Sequence, residues 1–214
     1  MHSILRVLIL AIFLLAISLC QSKDDYVVDN QKTIQSTFES SYGEGWQFSW
    51  NKNDTPHRIF GKSISQNFDG FDPDQSELAA REFISFNHTL FNLSESNLEL
   101  WVNEQQGNLR YLIFNQVYSG VPVWNGRVDF RYRLNGDLVM IGHDAFPNLN
   151  VNTNPSISMN QAIFYSQVQV DFDENLNDEV VGDPELYIWV ERGREPVYHL
   201  AWKLELFVHS TDPN

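Results

Sequence analysis

The stretch RYLIFNQVYSGVPVWNGRVDFRYRLNGDLVMI, residues 110–141, decides the fold of this 214-residue chain. Apolar and polar residues alternate strictly over residues 127–134, as in a strand with one buried face and one face in water. The apolar members are Val128, Phe130, Tyr132 and Leu134, and the polar members are Arg127, Asp129, Arg131 and Arg133. Asn135-Gly136 then supplies the two left-handed positions of a tight hairpin, so residues 137–141 are predicted to return as the partner strand.

The residues before and within this stretch predict a first unit in which a helix covers a sheet. Further strands are predicted at residues 46–50, 58–64, 98–102, 109–117 and 121–124. Asp72 can cap a helix, Pro73 fits its first turn, and Gln75 completes a capping box. Apolar residues follow at spacings of three and four: Ala79, Phe83, Phe86 and Leu90. This apolar face predicts that the helix lies across the sheet. Residues 21–44 form a polar N-terminal segment with one weakly helical stretch, residues 33–40.

The same order of a helix followed by antiparallel strands recurs after residue 155. Ser158 and Gln161 form a second capping box, and the helix is predicted to run to about Val170. Strands are predicted at residues 186–190 and 198–208. The sequence therefore predicts an α+β fold of two tandem units, each an antiparallel sheet with a helix packed on one face. A turn signal over residues 212–214 directly follows the last strand, and we expect a further strand beyond it.

The N-terminus is typical of a signal peptide over residues 1–20. Arg6 precedes an apolar run from Val7 to Leu19, which is shorter than the ~20 residues that cross a bilayer. We expect cleavage after Cys20, secretion, and no transmembrane anchor. A lipid anchor on Cys20 is the alternative, although it requires a small residue where this chain has Leu19. Cys20 is the only cysteine, so disulfides are not expected in the mature chain.

The chain is strongly acidic, with a formal net charge of -14 at pH 7. Such a surface repels phosphate groups, which argues against nucleic acid and anionic membranes as partners. Sequons for N-glycosylation begin at Asn53, Asn87 and Asn92, and they would carry glycans only in a eukaryotic secretory pathway. Because the chain is rich in asparagine, chance matches are the favoured interpretation.

The sequence contains no motif of a catalytic, metal or cofactor site. A zinc peptidase needs His-Glu-x-x-His, and no histidine of this chain is followed by glutamate. His199 and His209 lie on the order of 33 Å apart along one strand and cannot share a metal ion. Gly61-Lys62-Ser63 ends like a phosphate-binding loop, but Pro56 stands where that loop requires glycine. We therefore predict that this chain is not an enzyme and has no catalytic, cofactor-binding or metal residues.

The weaker candidates for functional residues have structural explanations. Asp171, Asp173 and Asn175 imitate the start of a calcium loop, but Leu176 occupies its glycine position, so a solvated loop is favoured. Four other acidic residues are interpreted as turn and cap residues: Asp69, Asp72, Asp74 and Asp144. The tryptophans could line a sugar or peptide groove, although core packing is the favoured interpretation. They are Trp46, Trp50, Trp101, Trp124, Trp189 and Trp202.

Residues 110–128, followed by Asn-Gly-Asp-Leu-Val at 135–139, resemble the fungalysin/thermolysin propeptide motif. In that family a basic strand, a glutamine (here Gln116), an aromatic-x-Gly-Val-Pro-Val turn and an Asn-Gly hairpin follow in this order. Residues 158–206, with Leu-Ala-Trp-Lys-Leu at 200–204, are similar to the PepSY module that follows in such pro-regions. The domains implied are a propeptide-like domain over residues 45–150 and a PepSY-like domain over residues 155–214, truncated at its C-terminus.

The resemblance implies a pair of cystatin-like units that assist the folding of a downstream zinc metallopeptidase and inhibit it until they are cleaved off. The partner would be that catalytic domain, which is absent from this chain and would alone carry zinc. No inhibitory residue is carried over, and the oligomeric state stays open. A free-standing secreted or lipid-anchored inhibitor or binding module of the same fold is the alternative. A surface lipoprotein with a structural or adhesive role is a third interpretation.

Overall fold

The computed structural model describes residues 29–94, 97–193 and 195–209. The predicted signal peptide, with Cys20, and the turn signal over residues 212–214 lie outside the described residues. Within the described residues the chain forms an α+β fold, which confirms the predicted class.

The first unit contains one more helix than predicted, and most strands extend beyond their predicted bounds. Its elements are α1 (residues 29–42), β1 (Gln47–Trp50), β2 (Pro56–Ser65), α2 (Pro73–Phe86), α3 (His88–Phe91), β3 (Leu98–Gln106), β4 (Leu109–Tyr118), β5 (Val121–Arg133) and β6 (Asp137–His143). The second unit contains α4 (Met159–Gln169), a 3-10 turn (Glu174–Leu176), β7 (Glu179–Glu191) and β8 (Val197–Phe207). None of the helices in the described ranges is long and apolar enough to cross a bilayer.

The eight strands form one connected sheet. The first six lie in the order β1-β2-β6-β5-β4-β3, and every neighbouring pair is antiparallel. Strands β7 and β8 form an antiparallel hairpin, which joins the larger sheet where Val123 of β5 pairs in parallel with Ile188 of β7. The predicted turn connects β5 to β6, but the prediction of two left-handed positions is wrong. Residues 134–136 link the strands, and of Asn135 and Gly136 only Gly136 has a positive φ, +83°. The Gly136 N–H donates to the Arg133 carbonyl oxygen at 3.0 Å and closes this longer turn. The two predicted units are thus continuous through the first residues of β5.

Helices α1, α2 and α3 cover one face of the six-stranded sheet. The apolar face of β5 packs beneath them, with Val128, Phe130 and Tyr132 fully buried. Helix α1 is longer than the predicted helical stretch and adds Phe38 to this core. The Phe38 ring meets the Trp46 ring edge to face, with centroids 5.3 Å apart. Part of the segment that was expected to be polar therefore supplies core packing.

The predicted cap and buried face of α2 are each confirmed in part: Asp72 caps the helix, but the Gln75 side chain donates to Asp72 Oδ2 and accepts from the Asp69 N–H, so the predicted capping box does not form. Asp72 Oδ1 accepts hydrogen bonds from the backbone N–H groups of Asp74 and Gln75. The buried residues of α2 are Ser76, Ala80, Phe83 and Ile84. Phe86, predicted to face the core, is 81% exposed, and Leu90 lies in α3 instead. Phe83 and Leu90 of the predicted face are thus buried, but on two different helices, because α2 ends at Phe86.

The second unit is smaller and leaves more apolar surface uncovered. Ser158 and Gln161 form the predicted capping box at the start of α4. Among the residues of α4 only Ala162 is buried, and Trp202 Nε1 donates to the Ile157 carbonyl oxygen, which holds the helix start against β8. A second core lies between the hairpin and the segment after β6. Its buried members are Val121, Val123, Phe146, Ile188 and Val190.

His143 is fully buried between β6 and α3. Its Nε2 lies 2.8 Å from the Phe91 carbonyl oxygen, and its Nδ1 accepts a 3.2 Å hydrogen bond from the N–H of Ala145. Nδ1 must be unprotonated to accept this bond, so the imidazole is neutral with its proton on Nε2. Burial disfavours the charged imidazolium and lowers the pKa of His143 to about 4, against the opposing effects of the Phe91 carbonyl and Asp144.

We expect acid to destabilise the fold through this histidine. As the pH falls from 6.5 towards 4, the unfolded chain binds a proton on His143 that the folded chain does not. The free energy of unfolding should therefore fall by up to about 1.4 kcal/mol per pH unit in this range. His143→Gln should reduce the slope, whereas His88→Gln, at an exposed position, should keep it. Urea unfolding at several pH values measures the slope, and equal slopes in wild type and His143→Gln would contradict this role.

Candidate functional site

The candidate site is a binding surface on the side of the sheet opposite α1, α2 and α3, which we call the outer face. Because successive residues of a strand point to opposite sides, Arg127, Asp129 and Arg131 lie on the outer face while Val128 packs under the helices. On the neighbouring strand β4, the Tyr111 ring lies 4.3 Å below the Arg131 guanidinium carbon. The outer face thus combines charged and aromatic side chains.

An ion-pair network of His57, Arg58, Asp129, Arg131 and Asp144 spans the outer face from β2 to β5. His57 Nδ1 lies 2.7 Å from Asp144 Oδ1, and Arg58 Nη1 donates to Asp144 Oδ2 at 3.2 Å. Arg58 Nη2 also lies 3.8 Å from Asp129 Oδ2. Arg131 Nη1 approaches Asp129 Oδ1 at 2.9 Å. Arg58 therefore links the two carboxylates and ties β2 to the centre of the sheet.

Two predictions about these carboxylates are wrong. Asp129, predicted to lie in water, is 2% exposed because the guanidinium groups of Arg58 and Arg131 lie against it. Gly142 of β6 leaves the space that this carboxylate fills, since a Cβ there would collide with Asp129 Oδ2. Asp144, predicted to be a turn residue, instead joins the network. The alternating Arg and Asp side chains of β5 were the sequence signal for such a network.

Asp144 is held in its ionised form. Burial by itself raises the pKa of this carboxyl group, but the hydrogen bond from His57 and the positive charge of Arg58 outweigh burial. The pKa of Asp144 therefore lies below its usual value. An ionised Asp144 carboxylate accepts hydrogen bonds from His57 and Arg58 and holds both side chains in place on the outer face.

Beside the network, the outer face contains an aromatic cleft defined by Trp101, Trp124 and Tyr187. The Trp124 ring centroid lies 5.4 Å from that of Tyr187, and the Trp189 ring extends the cluster at 6.2 Å from Trp124. The cleft has a volume of about 450 Å3 and lies where β3, β4, β5 and β7 meet. Trp101 is 63% exposed and Trp189 is 49% exposed. The favoured interpretation of these two tryptophans as core residues is wrong, whereas it is confirmed for Trp46.

Polar groups form a row across the aromatic cleft. Glu99, Asn115 and Arg127 lie directly opposite one another on β3, β4 and β5. Arg127 Nε is 3.9 Å from Asp144 Oδ2, which is too long for a hydrogen bond. Lys203 Nζ of β8 lies 5.6 Å from the Trp124 ring centroid. Lys203 Nζ also lies 3.6 Å from Glu185 Oε2, so both Arg127 and Lys203 lie beside carboxylates.

Strand β8 forms a long edge of the sheet. Among the described residues it pairs only with β7, and it is 11 residues long. An unpaired strand edge presents N–H and C=O groups that a strand of another chain can pair with. Several large apolar side chains of β8 and of α4, which contacts the hairpin, are exposed: Phe164, Tyr165, Val168, Val197 and Phe207. We call the free edge of β8 and these side chains the β8 surface.

The other residues that the sequence singled out do not come together. His209 contacts Asp178 at 2.9 Å, whereas His199 lies opposite Trp189 further along the hairpin, so the two histidines remain apart as predicted. Asp173 caps the 3-10 turn, in agreement with an ordinary loop. Within residues 29–94, 97–193 and 195–209, no group of three or more His, Cys, Asp or Glu side chains is placed to hold a metal ion.

The three sequons lie in different environments. Asn87 is half-buried, and its side-chain amide donates to the Phe83 carbonyl and to the Tyr42 hydroxyl, each at 2.8 Å. A glycan on Asn87 would break these bonds, which hold the end of α2 against α1. Asn53 is also half-buried, whereas Asn92 is exposed. Asn92 is therefore the most accessible of the three side chains.

Comparison with known proteins gives little further information. A scan against models of protein families finds no match, and no curated protein matches the chain. Among solved structures, the chain is similar to the Bacillus megaterium YpeB C-terminal domain, with 17% sequence identity and a TM-score of 0.39. The alignment covers 72% of this chain and 62% of that one, so it spans less than two thirds of the neighbour. The propeptide resemblance of the sequence therefore stays a hypothesis.

Proposed function

We propose that this chain is the non-catalytic pro-region of a secreted zinc metallopeptidase precursor, which binds the catalytic domain, assists its folding and inhibits it. The observation that carries the proposal is the β8 surface, where an unpaired strand edge and exposed apolar side chains occur together. The Gly-Val-Pro-Val motif at the start of β5 and the Asn-Gly motif after its end support the choice of a metallopeptidase as the partner.

The β8 surface suits a polypeptide partner for two physical reasons. A strand of the partner can add to the edge through main-chain hydrogen bonds, which need no particular side chains. Exposed apolar side chains such as Phe164 and Phe207 then supply the area whose burial stabilises the complex.

Chaperone and inhibitor roles follow from the same contact. A pro-region that binds only the native catalytic domain stabilises it against unfolding by mass action. The bound pro-region also blocks substrates wherever it covers the cleft of the peptidase. Cleavage of the connection between them lowers the effective concentration of the pro-region, and dilution then releases an active enzyme.

The first test is the gene. We expect its reading frame to continue past codon 214 into a domain that contains His-Glu-x-x-His. That domain should fold in higher yield when it is coexpressed with this chain, and adding the purified chain to the active domain should inhibit it. A frame that stops at codon 214, together with no effect on the secreted zinc metallopeptidases of the same genome, would rule out the proposal.

The β8 surface can be tested separately. Phe207→Ser removes an exposed side chain at the end of β8, and we expect it to weaken inhibition by about tenfold, as truncation of a central interface residue commonly does. Phe86→Ser is the matched control, because this phenylalanine is also exposed but lies on α2. Equal inhibition constants for the two variants would show that the partner does not contact the β8 surface.

A further inference from the structure

We propose that, where no other polypeptide occupies the β8 surface, two copies of this chain pair through it, with their β8 strands antiparallel and centred on Leu204. The two sheets then form one continuous sheet across a two-fold axis. The dimer goes beyond the proposed function, and only one consequence of it rests on that function: a paired edge is closed to the peptidase.

Three strands form edges of the sheet among the described residues, and only β8 is both long and regular. Strand β1 has four residues, and β3 has a bulge at Trp101, where its register with β4 shifts between Leu100 and Val102. Short strands and bulges are means by which edge strands avoid pairing with other chains. In the β7–β8 hairpin the shift adds residues to β7, between Val181 and Glu185, so β8 keeps an unbroken edge of 11 residues.

The charges of β8 favour a second copy as the strand that pairs with it. Its only acidic or basic side chains besides His199 are Lys203 and Glu205, which point to the same side because they are two residues apart. In an antiparallel pair centred on Leu204, Lys203 of each copy lies directly opposite Glu205 of the other. Opposite charges stabilise such a cross-strand pair, and like charges destabilise it. A pair centred on Lys203 or on Glu205 would place like charges opposite each other, so the charges select Leu204 as the centre.

The second copy extends a row of charges that begins within each chain. Lys203 lies directly opposite Glu185 on β7, and its Nζ is 3.6 Å from Glu185 Oε2. Glu205 lies opposite Val181, so its own hairpin offers it no cation in that position. Pairing places Lys203 of the other copy beside Glu205. Each lysine then lies between two carboxylates, and the charges alternate across the seam.

The other side of β8 brings apolar side chains together in the same register. Leu204 and Leu206 are half-buried and share this side of the strand with Trp202. Leu204 would lie opposite its own counterpart, and Trp202 opposite Leu206 of the second copy. The bond from Trp202 to the Ile157 carbonyl places the start of α4 on this side as well, so both copies of α4 lie on one face of the joined sheet. Burial of the apolar pairs stabilises the dimer, whereas the charges fix its register.

The dimer has a consequence for the proposed pro-region. Main-chain groups of β8 that are bonded to a second copy cannot pair with a strand of the peptidase. Dimerisation after cleavage therefore lowers the concentration of free pro-region, and with it the residual inhibition of the released enzyme.

Sedimentation velocity of the purified chain over a range of concentrations measures the dimer, and we expect a monomer–dimer equilibrium for the wild type. Lys203→Glu and Glu205→Lys should each raise the dissociation constant by about thirtyfold, because each places like charges opposite one another at both positions of the seam. An equimolar mixture of the two variants should restore the dimer as a heterodimer, because opposite charges then face each other again at both positions. Urea unfolding of each variant before mixing shows that it is folded.

Glu99→Lys is the matched control, because it makes the same change of charge on β3, another edge strand, and it should dimerise as the wild type does. A wild-type chain that stays monomeric at millimolar concentration, unchanged dimerisation in both charge variants, or a mixture of the folded variants that stays monomeric would each overturn the inference. These results are separate from the test of the proposed function. Inhibition of a metallopeptidase by a chain that never dimerises refutes only the dimer, and a dimer without any metallopeptidase partner refutes only the pro-region.

Discussion

Gly136→Val is expected to lower the free energy of unfolding by about 4 kcal/mol, because it combines backbone strain with a steric clash. Gly136 has a φ of +83°, a conformation that β-branched residues rarely adopt. A Cβ at this position would also collide with the carbonyl oxygen of Phe68, which is backbone and cannot move aside as a side chain can. The β5–β6 hairpin would have to open to accommodate it.

Gly120→Val is the matched control for this variant. Gly120 has a similar φ of +78°, but a Cβ there meets no atom within 4 Å. Gly120→Val should therefore lower the free energy of unfolding by about 1–2 kcal/mol, the cost of the left-handed backbone conformation alone. Chemical denaturation followed by tryptophan fluorescence measures both variants. Equal losses would show that the contact with Phe68 is not what requires glycine at position 136.

The parts of the fold that the sequence predicts correctly are those fixed by local chemistry. The alternation along β5 places Val128 and Phe130 in the core, and the turn after β5 needs the left-handed freedom of Gly136. The helix starts at Asp72 and Ser158 are set by side chains that accept hydrogen bonds from N–H groups two or three residues later. Each of these features depends on residues that are neighbours in the chain.

The features that the sequence misses depend on residues that are far apart in the chain. Burial of Asp129 requires Arg58, which arrives from β2, and space left by Gly142 of β6. The core role of α1 depends on Phe38 reaching Trp46 and the sheet. Apolar and aromatic residues in α1 were too few for the pattern to predict a long helix, so tertiary packing decided its length.

The candidate site was predictable only in part for the same reason. A groove lined by tryptophans was one interpretation of the sequence, but the sequence could not say which tryptophans remain exposed. Trp101 and Trp189 lie on the uncovered side of their strands, whereas Trp46 packs against Phe38. Strand alternation does not distinguish these cases, because it does not tell which face the helices cover.

A second large effect is expected at Gln116, the glutamine of the Gly-Val-Pro-Val motif region. Its Nε2 donates to the Phe146 carbonyl oxygen at 2.7 Å, and its Oε1 accepts from the Phe146 N–H at 2.8 Å. The Gln116 side chain is buried. Its two hydrogen bonds to the Phe146 backbone take the place of those that a neighbouring strand would make with the segment after β6. Phe146 belongs to the second core, so this pair of bonds connects the six-stranded sheet to the second unit.

Gln116→Met keeps the length of the side chain and removes both bonds, which leaves a buried N–H and a buried C=O without a partner. Each unsatisfied group costs about 1–3 kcal/mol, so we expect a loss of about 4 kcal/mol and faster hydrogen exchange at the Phe146 amide. Asn115→Met is the control, since this neighbour is half-buried on the outer face and should lose far less. Wild-type protection of Phe146 in Gln116→Met would mean that packing of its ring, rather than the two hydrogen bonds, holds this segment in place.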